Sequence, residues 1–180
     1  MMKEYKEIQV ALLGLGTVGL GVYKVLQMQK EEMQHKIGTE IKIKKILVRN
    51  LEKAAGKIED ASVLTDSWQE IVNDDEIQIV IEVMGGMEPA RTYIMEAMQA
   101  GKQVVTANKD LIAADGKELM DQAKKSGCDL LFEAAVAGAI PIIRPLKQRL
   151  AGNHLSEIMG IVNGTTNFIL TKMAQDGMEF

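Results

Sequence analysis

The chain has 180 residues, enough for one domain with a sizeable core and the start of a second. Hydrophobic residues make up 47% of it, which excludes a disordered chain, and the net charge of -4 without a basic run gives nucleic-acid binding no electrostatic support. A single cysteine excludes an internal disulfide framework, and no apolar stretch reaches the roughly 18 residues of a membrane span, so we predict a cytoplasmic protein with no membrane partner.

Short apolar runs alternate with helical patterns along most of the chain. In chain order the pattern predicts a strand over residues 8–13, a helix over 17–28, a strand over 41–48, a short helix over 51–58, a turn over 67–72, a strand over 77–83, a helix over 89–100, a strand over 103–107, a helix over 115–126 and a strand over 129–133. Residues 29–38 either extend the first helix or form a loop, and Asp66 is a candidate cap for the turn. Such alternation predicts an α/β fold, a Rossmann-like doubly wound parallel sheet.

The pattern changes near Pro141, and we place a domain boundary near residues 139–141. Residues 141–150 predict a helix that Pro145 bends, residues 154–163 a strand, and residues 165–173 a helix that Thr165 or Thr166 caps. These elements are too few for an independent core. We therefore predict a nucleotide-binding domain over residues 1–139 and the incomplete beginning of a second, α+β domain over residues 140–180.

A glycine motif, G-L-G-T-V-G over residues 14–19, follows the first predicted strand and opens the first predicted helix. Gly14 permits a tight turn, Gly16 lets the backbone approach a pyrophosphate, and Gly19 lets helix and strand pack closely. The helix N-terminus there favours an anionic phosphate. The motif predicts a dinucleotide site, and a purely structural glycine turn is the alternative.

Cofactor choice depends on the end of the second strand, where Asp or Glu would bind the ribose hydroxyls of NAD. The sequence has Val-Arg-Asn there instead, so Arg49 can stack on adenine or pair with a 2′-phosphate. Lys57 is a second cation that could fold over the same phosphate. These residues favour NADP, with NAD as a possibility, and two solvated surface cations are the alternative.

Three later segments carry a more specific signal: V-V-T-A-N-K over residues 104–109, F-E-A-A-V-A-G-A-I-P-I-I over 132–143, and G-I-V-N-G-T-T-N-F-I-L over 160–170. In this order and spacing they closely resemble homoserine dehydrogenases, over nearly the whole chain. That family reduces aspartate 4-semialdehyde to homoserine with a nicotinamide cofactor, on the route to threonine and methionine. The resemblance implies a small-molecule substrate, a homodimeric full-length parent, and a catalytic and dimerisation role for the second domain.

The resemblance also implies roles for individual residues. Thr17 and Val18 would line the cofactor, and Lys109 would lie near the nicotinamide and the substrate. Gly164 and Thr165 would contact homoserine. Backbone carbonyl groups would hold sodium or a similar monovalent cation at four positions: Glu133, Val136, Gly138 and Ile140.

Each of these roles has a physical basis and a plainer alternative. The Lys109 ammonium can polarise an aldehyde oxygen or relay its proton, or it can be a surface lysine beside a helix. A tight Gly-Ala loop can turn carbonyl groups towards a hard cation, whereas Glu133 could equally be a carboxylate that pairs with Arg144. Gly164 and Thr165 could be only a strand-to-helix cap.

Two rival functions remain open. A semialdehyde dehydrogenase that forms a thioester needs a nucleophilic thiol, and Cys128, just ahead of an apolar run, is expected to be buried. A nucleotide-binding module without chemistry is the second rival. The carboxylates that hold the substrate amine in the resembled family lie further along than Phe180, so we expect this chain to bind cofactor without turnover.

Overall fold

The computed structural model describes residues 7–161 and 163–179. Residues 1–6, Val162 and Phe180 lie outside the described residues. The predicted domains include all of these residues, and the strand predicted over residues 154–163 includes Val162. The strands are β1 Glu7–Leu13, β2 Glu40–Leu47, β3 Leu64–Thr65, β4 Ile77–Glu82, β5 Gln103–Thr106 and β6 Leu130–Leu131. The α-helices are α1 Thr17–Met28, α2 Lys30–Ile37, α3 Leu51–Ala55, α4 Gln69–Val72, α5 Ala90–Gln99, α6 Lys109–Ser126 and α7 Gly164–Asp176.

One sheet contains all six of these strands, in the order β3-β2-β1-β4-β5-β6. Every pair is parallel, which confirms the doubly wound fold. The order reverses between β1 and β4, where Leu13 pairs with Leu47 on one side and with Glu82 on the other. Ligands of such sheets bind in the crevice that this reversal opens at the carboxyl ends of the strands.

Helices cover both faces of the sheet because successive residues of each buried strand point to opposite sides. Ala11 and Leu13 of β1 belong to a core cluster with α5 and α6, while Leu12 belongs to a second cluster with α1 and α3. A buried lysine lies among the polar groups that support this core. The Lys102 side chain donates to the carbonyl groups of Asp74 and Ile77, at 2.7 and 3.1 Å.

The predicted start of α6 and the predicted cap at Asp66 are both wrong, because other side chains form the caps. Helix α6 begins at Lys109 rather than at residue 115, since the Asn108 side chain accepts from the N–H of Leu111 at 3.2 Å. Asp66 does not cap the turn that follows it; the Thr65 hydroxyl accepts from the N–H of Ser67 at 3.1 Å. Residues 29–38 contain a separate helix, α2, which ends at Gly38 in a left-handed conformation.

The segment after β6 also departs from the expected pattern. The strand predicted over residues 129–133 is shortened to Leu130–Leu131 and gives way to a 3-10 turn over Glu133–Ala135. The helix predicted over residues 141–150 is present from residue 143, with a wide π-helical stretch over Pro145–Arg149 that begins at the proline.

The last predicted strand is wrong where the structure describes it. Residues 154–161 are exposed and carry no regular structure, because no neighbouring strand in the described part of the chain pairs with them. The helix that follows begins at Gly164, and Asn163 caps it by accepting from the N–H of Thr166 at 2.8 Å, so neither Thr165 nor Thr166 is the cap. Among residues 7–161 and 163–179, no helix combines the length and apolar character needed to cross a membrane.

Candidate functional site

A cleft of about 750 Å³ opens at the carboxyl ends of β1, β2 and β4. Its walls come from the glycine loop, from the segment after β2 and from the start of α5. The residues that line it include Gly14, Leu15, Gly16, Arg49, Lys53, Lys57 and Asp66. The cleft therefore lies at the reversal of strand order, where the fold places nucleotide ligands.

Two glycines of the loop, Gly14 and Gly19, are required for the backbone to adopt this conformation, whether or not a ligand binds. Gly14 has a φ of +101°, a conformation that L side chains rarely adopt. A Cβ atom on Gly19 would lie 2.1 Å from the carbonyl oxygen of Gly14, so α1 can approach the loop only because residue 19 lacks a side chain. Both observations agree with the roles expected from the motif.

Gly16 is different, because a Cβ atom there would meet nothing within 4 Å. It stands before the first turn of α1 in an extended conformation, and neither a capping side chain nor an acidic residue satisfies that turn. Thr17 and Val18 follow as exposed residues, outside the cleft lining. The N-terminus of α1 is thus open to an anion, and its dipole favours one.

Three cations and one carboxylate also line the cleft: Arg49, Lys53, Lys57 and Asp66. Arg49 and Lys57 are exposed, and Lys57 donates to the carbonyl group of Leu15 in the glycine loop at 3.1 Å. Sequence reasoning missed Lys53 and Asp66. The position of Asp66 in the cleft could not be predicted from the sequence, because β3, which places it beside β2, has only two residues and carries no periodic pattern.

Lys109 is the first residue of α6 and is exposed. It does not line the 750 Å³ cleft, but β5, which precedes it, ends at the same edge of the sheet. The neighbouring Asn108 is buried and fixes the helix start, with its side-chain amide donating to the carbonyl group of Gly86 at 2.7 Å. The ammonium of Lys109 is therefore attached to a well-defined backbone position at the carboxyl edge.

Sequence reasoning also missed a buried carboxylate at this edge. Glu82, the last residue of β4, is 0% exposed and accepts from the hydroxyl of Thr106 at 2.6 Å. It accepts as well from the N–H groups of Met84 and Gly85, at 2.8 and 3.3 Å. A glutamate at the end of a strand rich in isoleucine and valine, three residues before Gly85 and Gly86, was the available signal.

The four residues expected at a cation site lie in the loop that follows β6. Glu133 turns its carboxylate towards the N–H groups of Ile142, Ile143 and Arg144, at 2.6 to 2.9 Å. Desolvation opposes its ionisation, but these hydrogen bonds together hold the pKa of the Glu133 carboxyl below its usual range. Its described contact with Arg144 is to the backbone of that residue rather than a side-chain ion pair.

The rest of this loop fits a site built from backbone carbonyl groups. Ala137 and Ala139 have φ values of 52° and 64°, a left-handed conformation unusual for alanine, on either side of Gly138. No hydrogen bond to the carbonyl oxygens of Val136, Gly138 or Ile140 is present among the described residues. Oxygen ligands of this kind suit a hard cation.

Gly164 and Thr165, the expected substrate residues, lie exposed at the start of α7. No described hydrogen bond joins them to Lys109 or to the cleft, so the structure does not bring these predicted residues together.

The thiol of Cys128 lacks the environment of a nucleophile. Desolvation by burial, with a smaller contribution from the charge of Asp129, raises the pKa of Cys128 above its usual value. Its sulfur lies 3.5 Å from the carbonyl oxygen of Met98. A catalytic thiol needs the opposite shift, which counts against thioester chemistry at this residue.

Comparison with known proteins gives consistent matches. The family model described as "Homoserine dehydrogenase, NAD binding domain" matches residues 14–133, and the one described as "Homoserine dehydrogenase" matches residues 141–180. A homoserine dehydrogenase of Bacillus subtilis (strain 168) is 48% identical over 171 residues, which are 95% of this chain and 40% of that protein. The chain spans about 40% of the length of the first curated relatives it matches.

Solved structures of homoserine dehydrogenases are similar as well. A homoserine dehydrogenase from Thiobacillus denitrificans superposes with a TM-score of 0.85 at 46% identity, covering 96% of this chain and 40% of that one. A hyperthermophilic archaeal homoserine dehydrogenase in complex with NADPH gives a TM-score of 0.78 at 29% identity, covering 96% of this chain and 58% of that one.

Proposed function

The chain belongs to the homoserine dehydrogenase family, and we propose that it forms the nucleotide-binding part of an enzyme that interconverts L-homoserine and L-aspartate 4-semialdehyde with a nicotinamide cofactor. The observation that carries the proposal is the open N-terminus of α1 in a cleft at the reversal of strand order. The reaction belongs to threonine and methionine biosynthesis. The bound cofactor would supply the hydride or accept it.

The glycine loop is the proposed pyrophosphate site. Gly16 keeps space free above the first turn of α1, and that turn, with Thr17 and Val18, offers N–H groups to phosphate oxygens. The contact between Lys57 and Leu15 holds the loop beside these donors. Gly14 and Gly19 contribute indirectly, because they let the chain adopt this conformation.

We propose NADP as the preferred cofactor. Arg49, Lys53 and Lys57 bring three positive charges to the cleft wall against the single negative charge of Asp66. A 2′-phosphate adds negative charge and accepts charge-assisted hydrogen bonds from such groups. The similar archaeal structure in complex with NADPH supports the same choice.

Lys109 is the proposed acid–base residue. Reduction of an aldehyde leaves negative charge on its oxygen, which a nearby ammonium can stabilise or protonate. Lys109 fits this task because it is exposed at the carboxyl edge on a helix start that Asn108 fixes. Gly164 and Thr165 are proposed to contact the substrate.

The loop after β6 is the proposed cation site, with the carbonyl groups of Glu133, Val136, Gly138 and Ile140 as ligands. A monovalent cation there would stabilise the left-handed residues of the loop and so support the segment that leads to α7. The domain boundary near residue 139, a cytoplasmic location and a homodimeric whole protein stay predictions, and light scattering of the whole protein tests the last of these.

A cofactor titration and a turnover assay test the proposal at two levels. This chain alone is expected to bind NADPH, which energy transfer from Trp68, the one tryptophan of the sequence, would report. The whole protein is expected to oxidise homoserine, followed by cofactor absorbance. Absence of binding would refute the nucleotide site. Binding without turnover by the whole protein would favour the second candidate, a nucleotide-binding module.

A further inference from the structure

Glu82 occupies an unusual position for a charged side chain. It is 0% exposed at the end of β4, and the partners described for it, the Thr106 hydroxyl and the N–H groups of Met84 and Gly85, are all neutral. Burial of a carboxylate without a counter-charge is costly, and an apolar residue would fill a strand end at lower cost. The position therefore calls for a role other than packing.

A directed chain of hydrogen bonds runs from Glu82 to the start of α6. The Thr106 hydroxyl donates to Glu82 at 2.6 Å, and its oxygen accepts from the N–H of Asn108 at 3.0 Å. The Asn108 side chain then accepts from the N–H of Leu111 and so caps the helix whose first residue is Lys109. The two bonds through the Thr106 hydroxyl form one relay, and such successive bonds polarise one another towards the carboxylate.

The same network holds the turn after β4. Gly85 and Gly86 have φ values of 73° and 76°, and a Cβ atom on either would meet nothing within 4 Å. Two such glycines in open space gain rigidity from outside contacts, because glycine itself imposes little conformational restriction. Glu82 supplies one contact by accepting from the N–H of Gly85, and Asn108 supplies the other by donating to the carbonyl group of Gly86.

We propose that Glu82 is a positioning residue of this enzyme: through Thr106 and Asn108 it fixes the backbone that carries Lys109, and it holds the Gly85–Gly86 turn at the edge of the cofactor crevice. The inference rests on the proposed function, since it gives Glu82 an effect on the chemical step only through Lys109. A purely structural role is the competing explanation. In that case, substitutions in the network would lower the free energy of unfolding, and their effect on kcat would not depend on Lys109.

A double-mutant cycle in the whole enzyme separates the two explanations. Thr106→Val removes the hydroxyl that links Glu82 to Asn108, and Thr106→Ser restores it. The matched control is Thr65→Val, which removes another buried threonine hydroxyl at the carboxyl end of a strand, one that accepts from the N–H of Ser67. Each variant is made with and without Lys109→Ala, and kcat, the NADPH dissociation constant and the thermal unfolding midpoint are measured.

We expect Thr106→Val to lower kcat by about 10- to 100-fold, the range for a small displacement of a reacting group, and Thr106→Ser to restore most of it. In the Lys109→Ala background the same substitution should change kcat by less than about threefold, since coupled residues are not additive. Thr65→Val should reduce thermal stability, and any effect that it has on kcat should be the same with and without Lys109→Ala. Glu82→Gln, which keeps the shape but offers a donor to Thr106, should repeat the cycle if Thr106→Val does not fold.

Equal losses of kcat in the two backgrounds would overturn the positioning role, as would a Thr65→Val loss as large as that of Thr106→Val. This result is distinct from failure of the proposed function. Wild-type protein without turnover would overturn the proposed function and the positioning role with it. A fully active Lys109→Ala variant would leave the proposed function standing and overturn the role of Lys109, and with it the positioning role of Glu82.

Discussion

Replacement of Gly16 by valine should abolish most of the cofactor affinity and leave the fold intact. The added side chain meets no protein atom within 4 Å at its Cβ, and the extended backbone of residue 16 accepts a β-branched residue. The expected cost in the free energy of unfolding is about 1 kcal/mol or less, mainly because valine is a poorer N-cap than glycine. The valine methyl groups would instead occupy the space proposed for the pyrophosphate.

The size of the binding loss follows from the hydrogen bonds that the phosphate would forfeit. A hydrogen bond to a charged group contributes roughly 1.5–3 kcal/mol, and every 1.4 kcal/mol changes a dissociation constant by about tenfold. Loss of one such bond at the first turn of α1 therefore predicts NADP binding weaker by about 10- to 100-fold. Calorimetric titration of NADP measures the affinity, and a thermal melt measures the fold.

Gly21→Val is the matched control, because Gly21 is exposed on the same helix and its Cβ would also meet nothing within 4 Å. Its affinity for NADP should equal that of the wild type. Gly19→Ala should fail in another way, by destabilising the protein, since its Cβ would lie 2.1 Å from the Gly14 oxygen. Wild-type affinity in Gly16→Val would refute the proposed pyrophosphate site.

Other substitutions test the remaining assignments. Arg49→Ala should weaken NADP about tenfold more than NAD at low salt, through lost charge-assisted hydrogen bonds; titrations with equal losses for the two cofactors would contradict the proposed 2′-phosphate contact. Lys109→Ala in the whole enzyme should lower kcat by roughly 10²–10⁴-fold, the usual contribution of an acid–base group. Unchanged stopped-flow rates would exclude Lys109 as the acid–base residue. Cys128→Ser should keep wild-type turnover of homoserine, followed by cofactor absorbance, whereas an inactive variant would support the thioester mechanism. Desolvation opposes ionisation of Asp74, but hydrogen bonds from Lys44 and the backbone lower the Asp74 pKa overall. The free energy of unfolding should therefore fall as the pH drops below about 4, and it should fall measurably less in Asp74→Asn. Equal urea-denaturation profiles for the two proteins would argue against the ion pair between Lys44 and Asp74, whose atoms lie 2.6 Å apart.

The main frame of the fold could be predicted because its signals are local. β1 is rich in leucine and β-branched residues, and β4 in isoleucine and valine. The glycine motif specifies the turn between β1 and α1. The bounds of α1 agree with the prediction because the glycine motif and the periodic pattern both mark them. Gly14 and Gly19 could likewise be interpreted from their spacing alone.

The missed features depend on partners far away in sequence. Glu82 is understandable only with Thr106, which is 24 residues further along and becomes its neighbour when β4 and β5 pair. Asp66 reaches the cleft through a two-residue strand too short to leave a pattern. Residues 154–161 show the converse: an apolar alternation predicts a strand, but a strand also needs a neighbour for its backbone groups.

Lys102 gives the protein a chemical marker of its own unfolding. Burial lowers the pKa of Lys102, and its ammonium is enclosed by carbonyl groups with only 3% of the residue exposed. An amine-reactive reagent should therefore modify Lys102 only in molecules that open the core. Lys57 and Lys109 are exposed and should react in the folded state, more slowly when a nucleotide covers them. One peptide map of a labelled variant would then distinguish a blocked nucleotide site from a damaged fold.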